Sequence, residues 1–277
     1  MGFDAAGLLS AYDSSITLTG KKGDAFYVDV PEGEVQAAWA IDAEKAYNKF
    51  AGQFVTYAQS VEYELDPVWR FVTGYYAALF SALSLLAITG TLRRRFGPSS
   101  PIPEGLWSVV AQPSVAGSQV LRVRGRRGGA AGSHHGTWTA LADLFTDLSA
   151  VPGNDAHTQA VLHALADIVV TPLHLSNFRN ALNYGLDEGP WSRRAWPCLL
   201  RDLRTPEAVE DAAVGGTRRE EQRAEILMLA CGSLVRSLFE DYRQRVRSDP
   251  RLRRWRKEHL ELIAGTGFAG CTAVVHS

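Results

Sequence analysis

The chain has 277 residues, 46% of them hydrophobic, with 29 Lys and Arg against 30 Asp and Glu. Those proportions are those of an ordinary globular protein, long enough to bury a core in one large domain or two modest ones. Three widely spaced cysteines (Cys198, Cys231, Cys271) exclude a disulfide scaffold and offer no zinc spacing, so the expected compartment is a reducing cytoplasm.

The near-zero net charge conceals an asymmetry. Residues 1–66 carry eleven acidic residues and four Lys, whereas 243–257 carry eight cations and one Asp. Arg supplies 24 of the 29 basic residues. The first fifteen residues hold an early Asp and no basic run, which does not read as a signal peptide.

In chain order, Ser15–Thr19 and Ala25–Val30 alternate well enough for two short strands about a Gly20-Lys21-Lys22-Gly23 turn. A helix follows from Glu34 or Asp42 through Tyr57, with Trp39, Ala43, Tyr47, Phe50 and Phe54 on one face. Asp66-Pro67 then opens the stretch around which the chain is organised, Trp69–Gly90. It carries no charge from Phe71 to Leu92 and is apolar on two stripes. Trp69, Val72, Tyr76, Leu79, Leu83, Leu86 and Gly90 form one, and Phe71, Tyr75, Ala78, Ala82 and Leu85 the other. A helix apolar all round is buried in a core or in a membrane. Its Tyr, Ser, Thr and Gly are spread through the run, and cations flank both ends, which favours the core and no membrane insertion. Small residues (Ala77, Ala78, Ser81, Ala82, Ser84, Ala87) allow neighbouring helices to approach closely.

Beyond Arg95, three prolines in ten residues predict a loop, and Leu106–Val110 and Gln119–Arg124 a second hairpin. The Gly-rich segment 124–136, which contains His134 and His135, reads as the most flexible part of the sequence. Helices are expected from Thr137 to Leu148, from His157 to Val170 and from Ser176 to Tyr184. Thr205-Pro206-Glu207 opens another short helix closed by Gly215-Gly216. Thr217–Glu220 has capping-box spacing and begins a long helix to Val246, with Leu227, Ala230, Leu234 and Leu238 on its apolar face. A last helix runs from Asp249 to Ala264. The fold class is therefore mainly α, a multi-helix bundle with small β-hairpin elements. Residues 1–60 form an accessory segment, 61–265 the helical domain and 266–277 a loose tail.

The most informative local pattern is Leu175–Gly185, LSNFRNALNYG. On a helix Arg179 and Asn183 share one face, and Asn180 and Tyr184 the next, beside apolar Phe178 and Leu182. A polar network tying helices together is one reading of it. The aromatic-rich helix with Tyr75-Tyr76-Ala77-Ala78-Leu79-Phe80, followed downstream by Arg179-Asn180 and a Tyr, resembles the HEPN superfamily. These are helical bundle domains of toxins, phage-defence proteins and RNA-cleaving nucleases. Their hallmark is Arg, a polar residue such as Asn, and then His four to six residues on. Here Tyr184 stands in the place of that His.

The resemblance covers residues 60–190. It implies a metal-independent ribonuclease of a prokaryotic defence or toxin–antitoxin system, needing no cofactor, with Arg179, Asn180 and Tyr184 as its catalytic set. In the family two protomers bring their motif helices together, so a homodimer or a protein partner is implied as well. In such cleavage the ribose 2'-OH attacks the adjacent phosphate. The step needs a cation for the phosphorane charge and a group that moves protons near neutral pH. Arg179 suits the first task, since its fork matches phosphate geometry. A Tyr with an ordinary pKa near 10 is a poor proton shuttle beside His. Either another His, from among His134, His135 and His174, serves the site, or the fold is a non-catalytic module binding RNA or a protein partner.

Two basic runs give RNA a place to bind. Arg122-Val123-Arg124-Gly125-Arg126-Arg127 resembles Arg-Gly segments that contact phosphates and bases. Arg251, Arg253, Arg254 and Arg256 surround Trp255 in the second, where Arg254 can pair with Glu258 and Lys257 with Glu261. A solvated face is the alternative for each. No phosphate-binding loop, dinucleotide fingerprint, nucleophile elbow or HExxH motif occurs, which excludes the common ATPase, dehydrogenase, α/β-hydrolase and zincin classes.

Overall fold

The structure, a computed structural model, describes residues 17–18, 25–63, 67–96, 105–112, 120–127, 133–170, 205–215 and 220–245. It is mainly α. Strands β1 (Thr17–Leu18) and β2 (Ala25–Pro31) lead directly into helix α1 (Glu32–Glu62), which is followed by α2 (Pro67–Ile88). Strands β3 (Thr91–Phe96), β4 (Gly105–Gln112) and β5 (Val120–Arg127) come next. Helices α3 (Ser133–Ser149), α4 (Ala156–Val170), α5 (Pro206–Val214) and α6 (Glu220–Arg245) complete the described chain.

Helix α2 is the centre, and its stripes are buried unequally. Phe71, Tyr75, Ala78, Ala82 and Leu85 are all sealed in the core. On the other stripe Val72, Leu79 and Leu86 are buried, but Tyr76 and Leu83 are only partly so, and Trp69 is 64% exposed. The helix is long and apolar enough to cross a membrane, and 72% of that window is covered by the rest of the protein. The six small residues named above are each buried. They let α1 come close enough for Ser84 Oγ to donate to the Ala43 carbonyl at 2.8 Å. A Cβ on Gly74 would sit 3.1 Å from the Tyr57 ring, so the same helix pair is tight lower down.

Helix α1 buries Trp39, Ala43, Phe50 and Phe54 as the 3.6-residue period requires, and extends it through Tyr57 and Val61. Phe50, Phe54 and Tyr57 belong to one cluster with α2, α3 and α6, so this core runs across residue 60. Helix α3 adds Trp138, Leu141 and Phe145 at spacings of three and four. Helix α5 begins where Thr205 accepts the Ala208 N–H, with Pro206 in its first turn.

Helix α6 departs from its expected one-sided pattern. Ala224 to Cys231 are buried on every side, including the carboxylate of Glu225, which accepts a hydrogen bond from the Tyr57 hydroxyl of α1. A Cβ on Gly232 would meet the Phe50 ring at 2.7 Å, which explains a glycine in mid-helix despite its propensity cost of about 1 kcal/mol. Burial pushes the Cys231 thiol up to about 12, so it acts as a small hydrophobe and not as a nucleophile.

The strands form one five-stranded antiparallel sheet, in the order β1-β2-β5-β4-β3. Pairing of β2 with β5 joins the two strand pairs, and β3 extends the sheet beyond β4. Gly90, at φ 90°, takes the left-handed conformation that ends α2 and turns the chain into β3. The cations after Leu92 therefore lie on a strand.

Candidate nucleic-acid interface

Because strand residues alternate between faces and directly paired residues share one, the register sorts every strand position. Arg122, Arg124 and Arg126 occupy alternate positions of β5, and their β4 partners are Gln112, Val110 and Ser108. Ser108 pairs in turn with Arg93 of β3, and Leu106 with Arg95. On the other side β2 places Asp29, Tyr27 and Ala25 opposite the same three arginines. Five arginines and one aspartate thus share a face.

The opposite face reads Leu18, Phe26, Val28, Val30, Leu121, Val123, Val109, Ala111, Leu92 and Phe96, with Arg94, Trp107 and Arg127 in one row of it. Helix α1 meets the sheet at β2 and β5, and α2 and α3 meet it at β3.

Of the four arginines expected here, the register keeps Arg122, Arg124 and Arg126 together. Arg127 is placed on the apolar face, opposite Trp107, with Arg94 on the far side of Trp107. Arg93 and Arg95 are the additions. Their signal was present in Thr91, Arg93 and Arg95 alternating with Leu92 and Phe96, but Arg94 between them hid the period. Arg251, Arg253, Arg254 and Arg256 lie outside the described residues, as do Arg179, Asn180, Tyr184 and His174.

His134 and His135 belong to helix α3, which begins four residues earlier than its sequence signal. The reason is a polar anchor. His134 Nδ1 lies 3.0 Å from the Tyr75 hydroxyl, and Trp138 Nε1 points to the same oxygen at 3.5 Å. The His134 ring also lies against Tyr75 and edge-on to Tyr76, so the first turn of α3 is fixed to the middle of α2. His135 Nδ1 is buried with no hydrogen-bond partner among the described residues.

A groove of about 170 Å³ lies between α4, α5 and α6, lined by Val161, Leu162, Leu165, Val209, Ala213 and Leu234. His157 and Glu210 meet there, with Nε2 and Oε2 2.9 Å apart. The hydrogen bond to Glu210 raises the His157 pKa above its usual value, and Glu210, Asp155 and Asp211 add attraction. A group whose pKa is raised on folding stabilises the fold below its unfolded value, and loses that contribution as pH rises through the folded one. The imidazole of His157 should therefore titrate above about 6.5, and Glu210→Gln should bring it down. Both side chains are well exposed, so the thermal midpoint should move only slightly between pH 6 and pH 8. Identical NMR titration curves for wild type and Glu210→Gln would remove the pair.

Fold and face together define a mainly α protein whose helical core is joined to an antiparallel sheet with five arginines on one side and two on the other. The chain has no match among family models, curated proteins or solved structures.

Proposed function

We infer that this protein binds RNA, as a helical module similar to HEPN proteins. The observation that carries the reading is the sheet face bearing Arg93, Arg95, Arg122, Arg124 and Arg126 against a single Asp29. Arginine serves phosphate recognition through its planar fork of donors, and a two-dimensional array of them suits a repeating anion. Among the described strands no comparable array of acidic residues occurs, so an acidic partner of this kind is the natural complement.

Binding to labelled RNA should weaken steeply with added salt, with a slope near −0.7 for each phosphate neutralised on a single strand. Replacing Arg124 and Arg126 together with Gln should flatten that slope by about 1.4. Arg127→Gln, on the other face by register, should leave it unchanged. Affinity that ignores salt, or that responds to Arg127 and not to Arg124 and Arg126, would overturn the reading.

A second reading adds cleavage. It rests on Arg179-Asn180 with Tyr184 at HEPN-like spacing, and makes the protein a metal-independent ribonuclease of a defence or toxin system. In this reading the protein acts in the cytoplasm as a homodimer or with a partner, and α2 stays within the helical core.

A further inference from the structure

Resting on the RNA-binding reading, we propose that the ligand of the basic face is single-stranded RNA, with unpaired bases over the row Tyr27–Arg124–Val110 and phosphates at Arg126, Arg93 and Arg95. The register makes that row. Tyr27 of β2 pairs with Arg124 of β5, and Arg124 with Val110 of β4. An aromatic, a guanidinium and an aliphatic residue thus lie side by side at the middle of the face.

The composition of the row distinguishes a single strand from a duplex. A duplex hides its bases and offers phosphate and sugar to a flat surface, so Tyr27 and Val110 would contribute little to holding it. Unpaired bases stack on aromatic rings and on arginine planes, which is sequence-tolerant because every base has a π-face. Charge is distributed to match. Asp29 lies opposite Arg122 and weakens the positive field in that row, where Gln112 adds an amide able to meet a base edge. The next rows carry no acid: Ser108 separates Arg126 from Arg93, and Arg95 follows one row on.

Spacing agrees with a flexible anionic strand. Alternate residues along β5 are about 6.8 Å apart, and β5 and β3 are about 9.6 Å apart across β4. An unpaired backbone can adjust its phosphates to that grid, whereas a rigid helix presents them along a cylinder that a twisted sheet about 19 Å wide meets over a short arc.

The test is fluorescence anisotropy of the full chain with a labelled oligouridylate and with an RNA duplex of equal length. The single strand should bind at least about tenfold more tightly. Tyr27→Leu, which keeps an apolar strand residue but removes the ring, should weaken the single strand by roughly 5- to 100-fold. Its effect on the duplex should be within about twofold, and its salt slope unaltered. Tyr27→Phe should bind as wild type does, which separates loss of stacking from loss of fold. Equal or tighter duplex binding overturns the single-strand inference while leaving RNA binding in place, provided the Arg124 and Arg126 replacements still flatten the salt slope. Unchanged single-strand affinity in Tyr27→Leu overturns it in the same way. Absence of binding to either RNA removes both.

Discussion

Leu85→Asp is expected to unfold the helical core. Leu85 is 1% exposed in the cluster that joins α1, α2, α3 and α6. The substitution removes a buried apolar group worth about 2 kcal/mol and adds a desolvated polar or charged group costing several more. Against a total stability of about 5–15 kcal/mol, that sum leaves little or no folded protein at 37 °C. Trp69→Asp, about four turns away at the exposed end of the same helix, should cost well under about 1 kcal/mol. Circular dichroism melts of the two variants read the contrast. A Leu85→Asp protein that melts with wild type would mean that α2 is not a core helix.

The helical frame was legible because its signals are local and periodic. Trp39, Ala43, Phe50 and Phe54 repeat at helical spacing, and the run of small residues in α2 foretold the close approach that Ser84 and Ala43 display. Three features escaped for physical reasons. Helix α6 looked amphipathic because Arg223 and Glu225 interrupt its apolar run, yet Glu225 goes inside on the strength of a hydrogen bond from Tyr57, 168 positions away. Local sequence holds no trace of that partner.

The start of α3 was hidden similarly. Gly-rich sequence before His134 reads as a loop, and the anchor that ends the loop is Tyr75, 59 positions earlier. The arginine face needed long-range pairing. Arg122, Arg124 and Arg126 alternate visibly, but nothing local places Arg93 two strands away or assigns Arg127 to the other side. Pairing of β2 with β5, across both central helices in sequence, is what assembles the face.

Cleavage, if the protein performs it, should disappear with Arg179. The expected result for wild type is RNA cleavage in EDTA that leaves a 2',3'-cyclic phosphate, the product of 2'-OH attack. Arg179→Ala should lower that rate by roughly 10²-fold or more while keeping the melting temperature, as loss of a donor to developing charge does elsewhere. Affinity for RNA should hardly change, because in the proposed reading binding falls to the arginines of β3 and β5, which remain. Tyr184→Phe reports whether the phenol takes part, and Tyr184→His should raise the rate by supplying a group that titrates near neutral pH. His134→Gln offers a further control. Nδ1 of His134 is held by the Tyr75 hydroxyl, so its loss should destabilise α3 whether or not the ring moves protons. A rate that falls only in proportion to the folded fraction would make His134 an anchor alone. Wild type that cuts no RNA would remove the ribonuclease reading, and Arg179→Ala should then lower the melting temperature, as expected of a residue tying helices together.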